Sequence, residues 1–147
     1  MECTINWVAA SGMVFQAETG SGHLINIDGA SEGGGRNLAP RPMETVLAGT
    51  GACSAYDVVL ILRRGRHDVR GCRVKVTAER APQDPKVFTR IQMHFVVSGV
   101  QLAANAVERA IALSHEKYCS VSNSLQPDID FKTTFTIVRP QDGSRAE

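Results

Sequence analysis

Apolar and polar residues alternate with a period of two from the start of the chain. Cys3, Ile5, Trp7 and Ala9 share one side and Thr4 and Asn6 the other, so residues 2–9 predict a strand. Ser11-Gly12 interrupts the pattern, and residues 13–18 resume it with Val14 and Phe15, which reads as a β-hairpin. Residues 23–27 predict a third short strand. Residues 28–41 (D-G-A-S-E-G-G-G-R-N-L-A-P-R) carry a run of glycines and a proline and predict a loop. Loops of this length are uncommon and often functional.

The periodicity then changes to that of a helix over residues 42–62, P-M-E-T-V-L-A-G-T-G-A-C-S-A-Y-D-V-V-L-I-L. Pro42 suits the first helical position, where its missing N–H is no loss. Glu44, two residues on, can reach back to free N–H groups as a helix cap. The centre is made of small residues from Ala48 to Ala55. Each glycine inside a helix costs about 1 kcal/mol relative to alanine, so a close approach of another backbone is expected there. Val46, Leu47 and the run from Val58 to Leu62 make the helix apolar nearly all round, which predicts burial on most sides. A partner subunit is one way to supply that burial. Gly65 reads as the C-terminal signal, and Arg63, Arg64 and Arg66 as charges at the negative end of the helix.

Alternation returns over residues 69–81, with Cys72, Val74, Val76 and Ala78 against Arg73, Lys75, Thr77 and Glu79. After a turn at 82–85, residues 87–97 form the second strand of a long hairpin, closed by Ser98-Gly99. Residues 102–118 predict a helix with Leu102, Ala106, Val107, Ala110, Ile111 and Leu113 on one stripe. Cys119 follows, ahead of S-V-S-N, a candidate short second helix. Residues 130–138 predict a last strand. The order βββ-α-ββ-α-β reads as α+β, with helices on antiparallel sheet. Residues 1–138 are read as a single domain and 139–147 as a disordered polar tail.

Charge removes some function classes. The 147 residues carry 16 basic and 15 acidic side chains, a formal net charge of +1, which favours neither nucleic acid nor an anionic membrane surface. No apolar run reaches the roughly 20 residues of a membrane span, and the N-terminus lacks the shape of a signal peptide. A cytoplasmic protein with no membrane partner is expected. The four cysteines include no C-x-x-C, so neither a disulfide scaffold nor a zinc ribbon is indicated.

Cys3 and Cys72 fall in apolar strand registers and read as core. Cys53 and Cys119 are open to either packing or chemistry. Cys119 at a helix junction can be stabilised as thiolate by free N–H groups, with His115 and Lys117 nearby as positive charge. Cys53 lies too deep in its helix for the dipole to act on it. Asp57, one turn on, would raise its pKa, so activation needs a cation, for which Arg36 and Arg41 are the candidates. Asp57 itself reads as a surface or hydrogen-bonded residue. His23, His67, His94 and His115 show no ligand spacing, so no metal is expected from sequence. A site assembled from Cys and His by tertiary contact stays open.

The stretch from G-G-x-x-x-L-A-P-R-P-M-E-T-V-L through G-A-C-S-A-Y-D-V-V, with H-E-K-Y-C-S-V-S-N-S-L much later, resembles the OsmC/Ohr family. The first part is similar to that family's P-x-E-L-L-x-A-A-x-x-x-C helix, the second to its C-P-x-S segment. The resemblance spans nearly the whole chain and implies an OsmC-like fold assembled as an intertwined homodimer. It also implies thiol-dependent reduction of organic hydroperoxides or hydrogen peroxide in the oxidative-stress response. Cys53 would be the peroxidatic thiol and Cys119 the resolving one. No cofactor is implied beyond an external dithiol reductant. A non-enzymatic dimer that binds a small apolar or thiol-reactive molecule is the alternative.

The chain departs from the best-characterised branch of that family. Met43 stands ten residues before Cys53, where that branch has a carboxylate; the acid is Glu44, about 100° further round the helix. The branch's activating arginine has no match in the N-terminal hairpin, and Ser120 replaces the usual proline. The pattern resembles the less characterised OsmC-like branch.

Overall fold

The computed structural model describes residues 1–140, so the expected tail lies outside them apart from its first two residues. The chain forms two compact units, Met1–Leu47 and the part from Ala48 onward, with the boundary inside the long helix.

The first unit is built on an antiparallel meander in the order β1 (Cys3–Trp7), β2 (Phe15–Thr19), β3 (Leu24–Ile27). Phe15 pairs with Trp7 on one side and Ile27 on the other. The Trp7 indole N–H donates to the Gly12 carbonyl at 2.7 Å and closes the first turn, where Gly12 takes φ +78°. Every residue of β1 is exposed, including Ile5 at 58 % and Trp7 at 60 %. The reading of Cys3 as core is therefore corrected. Alternation reports that a strand has an apolar face, not that anything covers it.

The glycine loop is organised by one buried carboxylate. Asp28 accepts from the backbone N–H groups of Gly29 (2.7 Å), Arg36 (2.9 Å) and Leu38 (3.0 Å), and its own N–H donates to Pro40. Gly35 is needed there, because a Cβ would lie 2.0 Å from the Gly29 carbonyl oxygen. The N–H bonds, Leu38's foremost, hold the Asp28 carboxyl below the usual carboxylate range against the opposing effect of burial.

Helix α1 (Pro42–Arg64) starts as its sequence predicts. Glu44 Oε2 accepts the Arg41 N–H at 2.9 Å, half of a capping box. Its end differs from expectation. Arg66, not Gly65, takes the left-handed conformation (φ 62°), with Arg66 N–H donating to Arg63 O and His67 N–H to Leu62 O. This is a Schellman turn with arginine at the position usually held by glycine. At 23 residues α1 is also long and apolar enough to cross a bilayer, which corrects the expectation that no stretch is. Its buried side carries Thr50, Ser54 and Asp57 beside Val58 and Leu62.

In the second unit, β4 (Asp68–Arg80) and β5 (Phe88–Val100) form a long antiparallel hairpin, Cys72 opposite Val97. β5 is the central strand and buries Phe88, Ile91, Met93, Phe95 and Val97. It continues through Ser98-Gly99, where the sequence predicts closure; a Cβ on Gly99 would lie 2.3 Å from the Asp68 carbonyl oxygen. Cys72, expected in the core, is only half-buried. The expectation of purely antiparallel sheet is corrected at β6 (Asp130–Val138), which pairs with β5 in parallel, Phe95 opposite Phe135. The helical crossover between them permits this, since a parallel neighbour needs a long connection. That crossover begins with α2 (Ala104–Leu113), which buries Val107, Ala110 and Ile111. The two helix glycines differ. A methyl on Gly51 would lie 2.6 Å from Val76 Cγ2, so α1 approaches β4 there, whereas nothing lies within 4 Å of one on Gly49.

Two stability predictions follow from these local structures. Arg66→Gly removes the left-handed penalty of an L-residue and is expected to stabilise the protein by about 1 kcal/mol, read as a higher urea midpoint. For Asp28, the folded pKa lies below the unfolded value, so its contribution is complete above the unfolded pKa and is lost as pH falls through the folded one. Asp28→Asn should therefore lower the urea midpoint near neutral pH, and the gap to wild type should narrow below about pH 4. A gap unchanged by acid would argue against a charged Asp28 as the loop's anchor.

Candidate functional site

The structure brings Cys53 and Cys119 together. Their Sγ atoms and a carboxylate oxygen of Asp57 all lie within 4.8 Å of one another, and both thiols are free. All three residues belong to the second unit. Cys53 and Asp57 are four residues apart on α1, and that spacing stacks them on one face.

Cys119 reaches this face through an irregular turn. α2 runs into a single π turn, Ser114–Tyr118, in which the Cys119 N–H donates to the Ser114 carbonyl five residues back at 2.8 Å. The chain then leaves the helical path at Cys119 (φ −69°, ψ 94°) and starts α3 (Ser120–Asn123), the short helix expected from S-V-S-N. Cys119 is its N-cap: Sγ accepts the Ser122 N–H at 3.4 Å. The Cys119 side chain is fully buried and makes a long contact, 4.0 Å, to the Thr50 carbonyl of α1.

Buried polar bonds hold the two segments in register. The Ser114 hydroxyl donates to Asp57 Oδ2 at 3.1 Å and lies 3.0 Å from the Ser54 hydroxyl. Asp57, 9 % exposed, is thus hydrogen-bonded rather than a surface group. Ser54, Ser114 and the N–H groups of Val121 and Ser122 complete the surroundings of the thiols. None of these was singled out from sequence. The Cys53–Asp57 spacing was the available signal, whereas a π turn at S-H-E-K-Y has no sequence signature.

The charge environment does not activate Cys53. Burial is the largest influence and pushes its thiol up; the Val121 N–H acts the other way; the Cys119 thiol and the Asp57 charge push it up again. Burial likewise pushes up Cys72. His115, a candidate cation near Cys119, packs its ring against Phe131 at 4.9 Å, and Lys117 Nζ lies over the Tyr118 ring at 5.4 Å. His94 is satisfied by Thr134 (2.8 Å) and Thr136 (3.2 Å). The other nominated residues belong to the first unit. Arg36 and Arg41 are exposed; Arg36 has its side chain beside Gly12 and its N–H on Asp28, while Arg41 and Glu44 form the helix start.

The Asp57 effect can be measured. Asp57→Asn is expected to lower the apparent pKa of Cys53, shifting its pH–alkylation profile to lower pH. An unshifted profile would remove Asp57 from the electrostatics of this thiol.

Residues 33–134 match the family of OsmC-like proteins. The chain is 45 % identical over 138 residues to protein YhfA of Escherichia coli, covering 94 % of this chain and 98 % of that protein. Among solved structures, a hypothetical protein from Aquifex aeolicus superposes with a TM-score of 0.80 at 27 % identity, covering 95 % of this chain and 97 % of that one. An organic hydroperoxide resistance protein from Legionella pneumophila superposes with a TM-score of 0.67 at 18 % identity, over 92 % and 95 % of the two chains, which speaks for a common fold. With the family match over most of the chain and a close relative along nearly its whole length, this protein belongs to the OsmC-like family.

Proposed function

We propose that this protein is a thiol-dependent peroxidase that reduces organic hydroperoxides or hydrogen peroxide, with Cys53 as peroxidatic and Cys119 as resolving cysteine. The observation that carries this reading is the convergence of two free thiols, far apart in sequence, within 4.8 Å. The naming of fold relatives as organic hydroperoxide resistance proteins supports the substrate class. Exposure supports the order of events, since Cys53 is half-buried and Cys119 fully buried.

In the first step the Cys53 thiolate attacks one peroxide oxygen. The O–O bond breaks, the alcohol leaves with a proton, and Cys53 becomes a sulfenic acid. Cys119 sulfur then attacks Cys53 sulfur, and the hydroxyl leaves as water with the Cys119 proton. The sulfurs close to the disulfide length of about 2 Å. An external dithiol restores both thiols and is itself oxidised to its disulfide.

Burial, Cys119 and Asp57 push the Cys53 thiol up, so activation calls for a cation. Arg36 and Arg41, from the same or a second copy, are proposed for that role, with Glu44 supporting the helix start that follows them. The working assembly is an intertwined homodimer. The exposed Ile5 and Trp7, Tyr56 at 67 % exposure, and the open space around Gly49 on an otherwise apolar helix support it. Free thiols suit a reducing compartment, the cytoplasm.

Treatment of the reduced protein with cumene hydroperoxide near equimolar ratio should yield a Cys53–Cys119 disulfide by mass spectrometry, absent in Cys53→Ser. If Cys53 remains a thiol, the peroxidase reading fails and the binding alternative takes its place. Arg36→Ala or Arg41→Ala should slow Cys53 oxidation about tenfold or more if that arginine lowers the thiol pKa. For the dimer, Gly49→Ala should raise the monomer fraction in sedimentation by crowding the helix seam. A variant that stays dimeric and gains the roughly 1 kcal/mol of helix propensity would put the seam elsewhere.

A further inference from the structure

We infer that Cys53, Asp57 and Cys119 together form a binding site for a thiophilic divalent cation, zinc(II), with two sulfur ligands, one carboxylate oxygen and an open fourth position. The three ligand atoms lie within 4.8 Å of one another. In tetrahedral zinc, with Zn–S near 2.3 Å and Zn–O near 2.1 Å, ligand atoms sit about 3.5–3.8 Å apart. The cluster therefore has to contract by no more than about 1.3 Å, within reach of side-chain rotation. Two ligands four residues apart on one rigid helix, and a third from a packed turn, present the cation with a largely preformed site.

The ligand set selects the metal. Thiolates favour zinc over magnesium or calcium, which take oxygen ligands at higher coordination number. Backbone N–H groups approach both sulfurs. The Ser122 N–H already points at Cys119 Sγ, and the Val121 N–H acts on Cys53. Ser114 donates to Asp57 Oδ2 and fixes the carboxylate, the outer-shell bond that orients a metal-binding side chain. Cys53 is partly exposed, the side from which a cation and a fourth ligand would enter.

The chemistry balances without any redox partner. Zinc(II) replaces the two thiol protons, which leave to solvent, and no electron moves. One divalent cation for two protons leaves the net charge of this low-dielectric site unchanged. A Cys53–Cys119 disulfide has no thiolate left to ligate, so metal loading and disulfide formation exclude each other.

The experiment uses the full chain, reduced and stripped of metal. Cobalt(II) is titrated in while the sulfur-to-cobalt charge-transfer absorption is followed, and zinc(II) affinity is read by competition with a chromogenic chelator. One metal per chain with a charge-transfer band is expected, retained in the Cys3→Ser, Cys72→Ser double variant. Cys53→Ser and Cys119→Ser should lose the band. Asp57→Asn and Ser114→Ala keep both thiols and should bind about 10–100-fold more weakly; they test the site if a cysteine variant fails to fold. Full stoichiometry in Cys53→Ser, affinity unchanged in Asp57→Asn, or no charge-transfer band in wild type would each overturn the proposal. The outcome is separable from the peroxidase reading. Metal-free protein inert to cumene hydroperoxide but binding one zinc leaves this site standing, and prompt disulfide formation without metal binding does the reverse.

Discussion

The site depends on one buried contact, the bond from the Ser114 hydroxyl to the Asp57 carboxylate. It joins α1 to the π turn that follows α2, two segments that share no local sequence relation. A buried carboxylate without a donor is costly, and so is a buried hydroxyl, so each segment supplies what the other needs. Ser54 adds a second hydroxyl to the same junction. With that register held, the turn delivers Cys119 to the face of α1 that already carries Cys53. The wider π turn is part of the same constraint. An ordinary helical end would leave the Cys119 N–H on the carbonyl four residues back and turn the side chain through a different angle.

The same contact sets a tension in the chemistry. The carboxylate that joins the two segments lies beside the Cys53 thiol. Burial and Asp57 both act against thiolate, and the Val121 N–H opposes them only in part. Ionising a thiol so placed calls for a positive charge. An arginine and a divalent cation are two such charges with opposite consequences. The arginine leaves every sulfur lone pair free, whereas the metal draws one into a bond and makes the sulfur a weaker nucleophile.

The first unit shows the same economy in a different form. A loop rich in glycine has little side-chain packing to order it, and one carboxylate gathers three of its N–H groups instead. Asp28 is the first residue of that loop, and the chain returns to it at Leu38 and Pro40 just before α1 begins. The loop's length, unusual for a plain connection, reflects a closed structure around a charge.

Most of the fold was legible in the residues. Period-two patterns located six strands, and Pro42 with Glu44 located the start of α1, because alternation and capping are local rules that a dozen residues satisfy by themselves. The family resemblance singled out Cys53 and Cys119, and Asp57 was visible as the residue one turn from Cys53. Other features were not legible. Which neighbour β6 joins, and in which direction, depends on the path of a helical crossover. Whether Cys3 is covered depends on what packs against β1. Arg66 rather than Gly65 turning left-handed depends on where the last helical bond falls. The approach of the two sulfurs, and their sharing a corner with Asp57, rests on a hydroxyl and a π turn that no periodicity announces. Sequence by itself determined the elements and the chemical identity of the candidate site groups, since both are written in near neighbours. Tertiary structure alone decided their distances and their charge environment, since both arise between segments that meet only when the chain is folded.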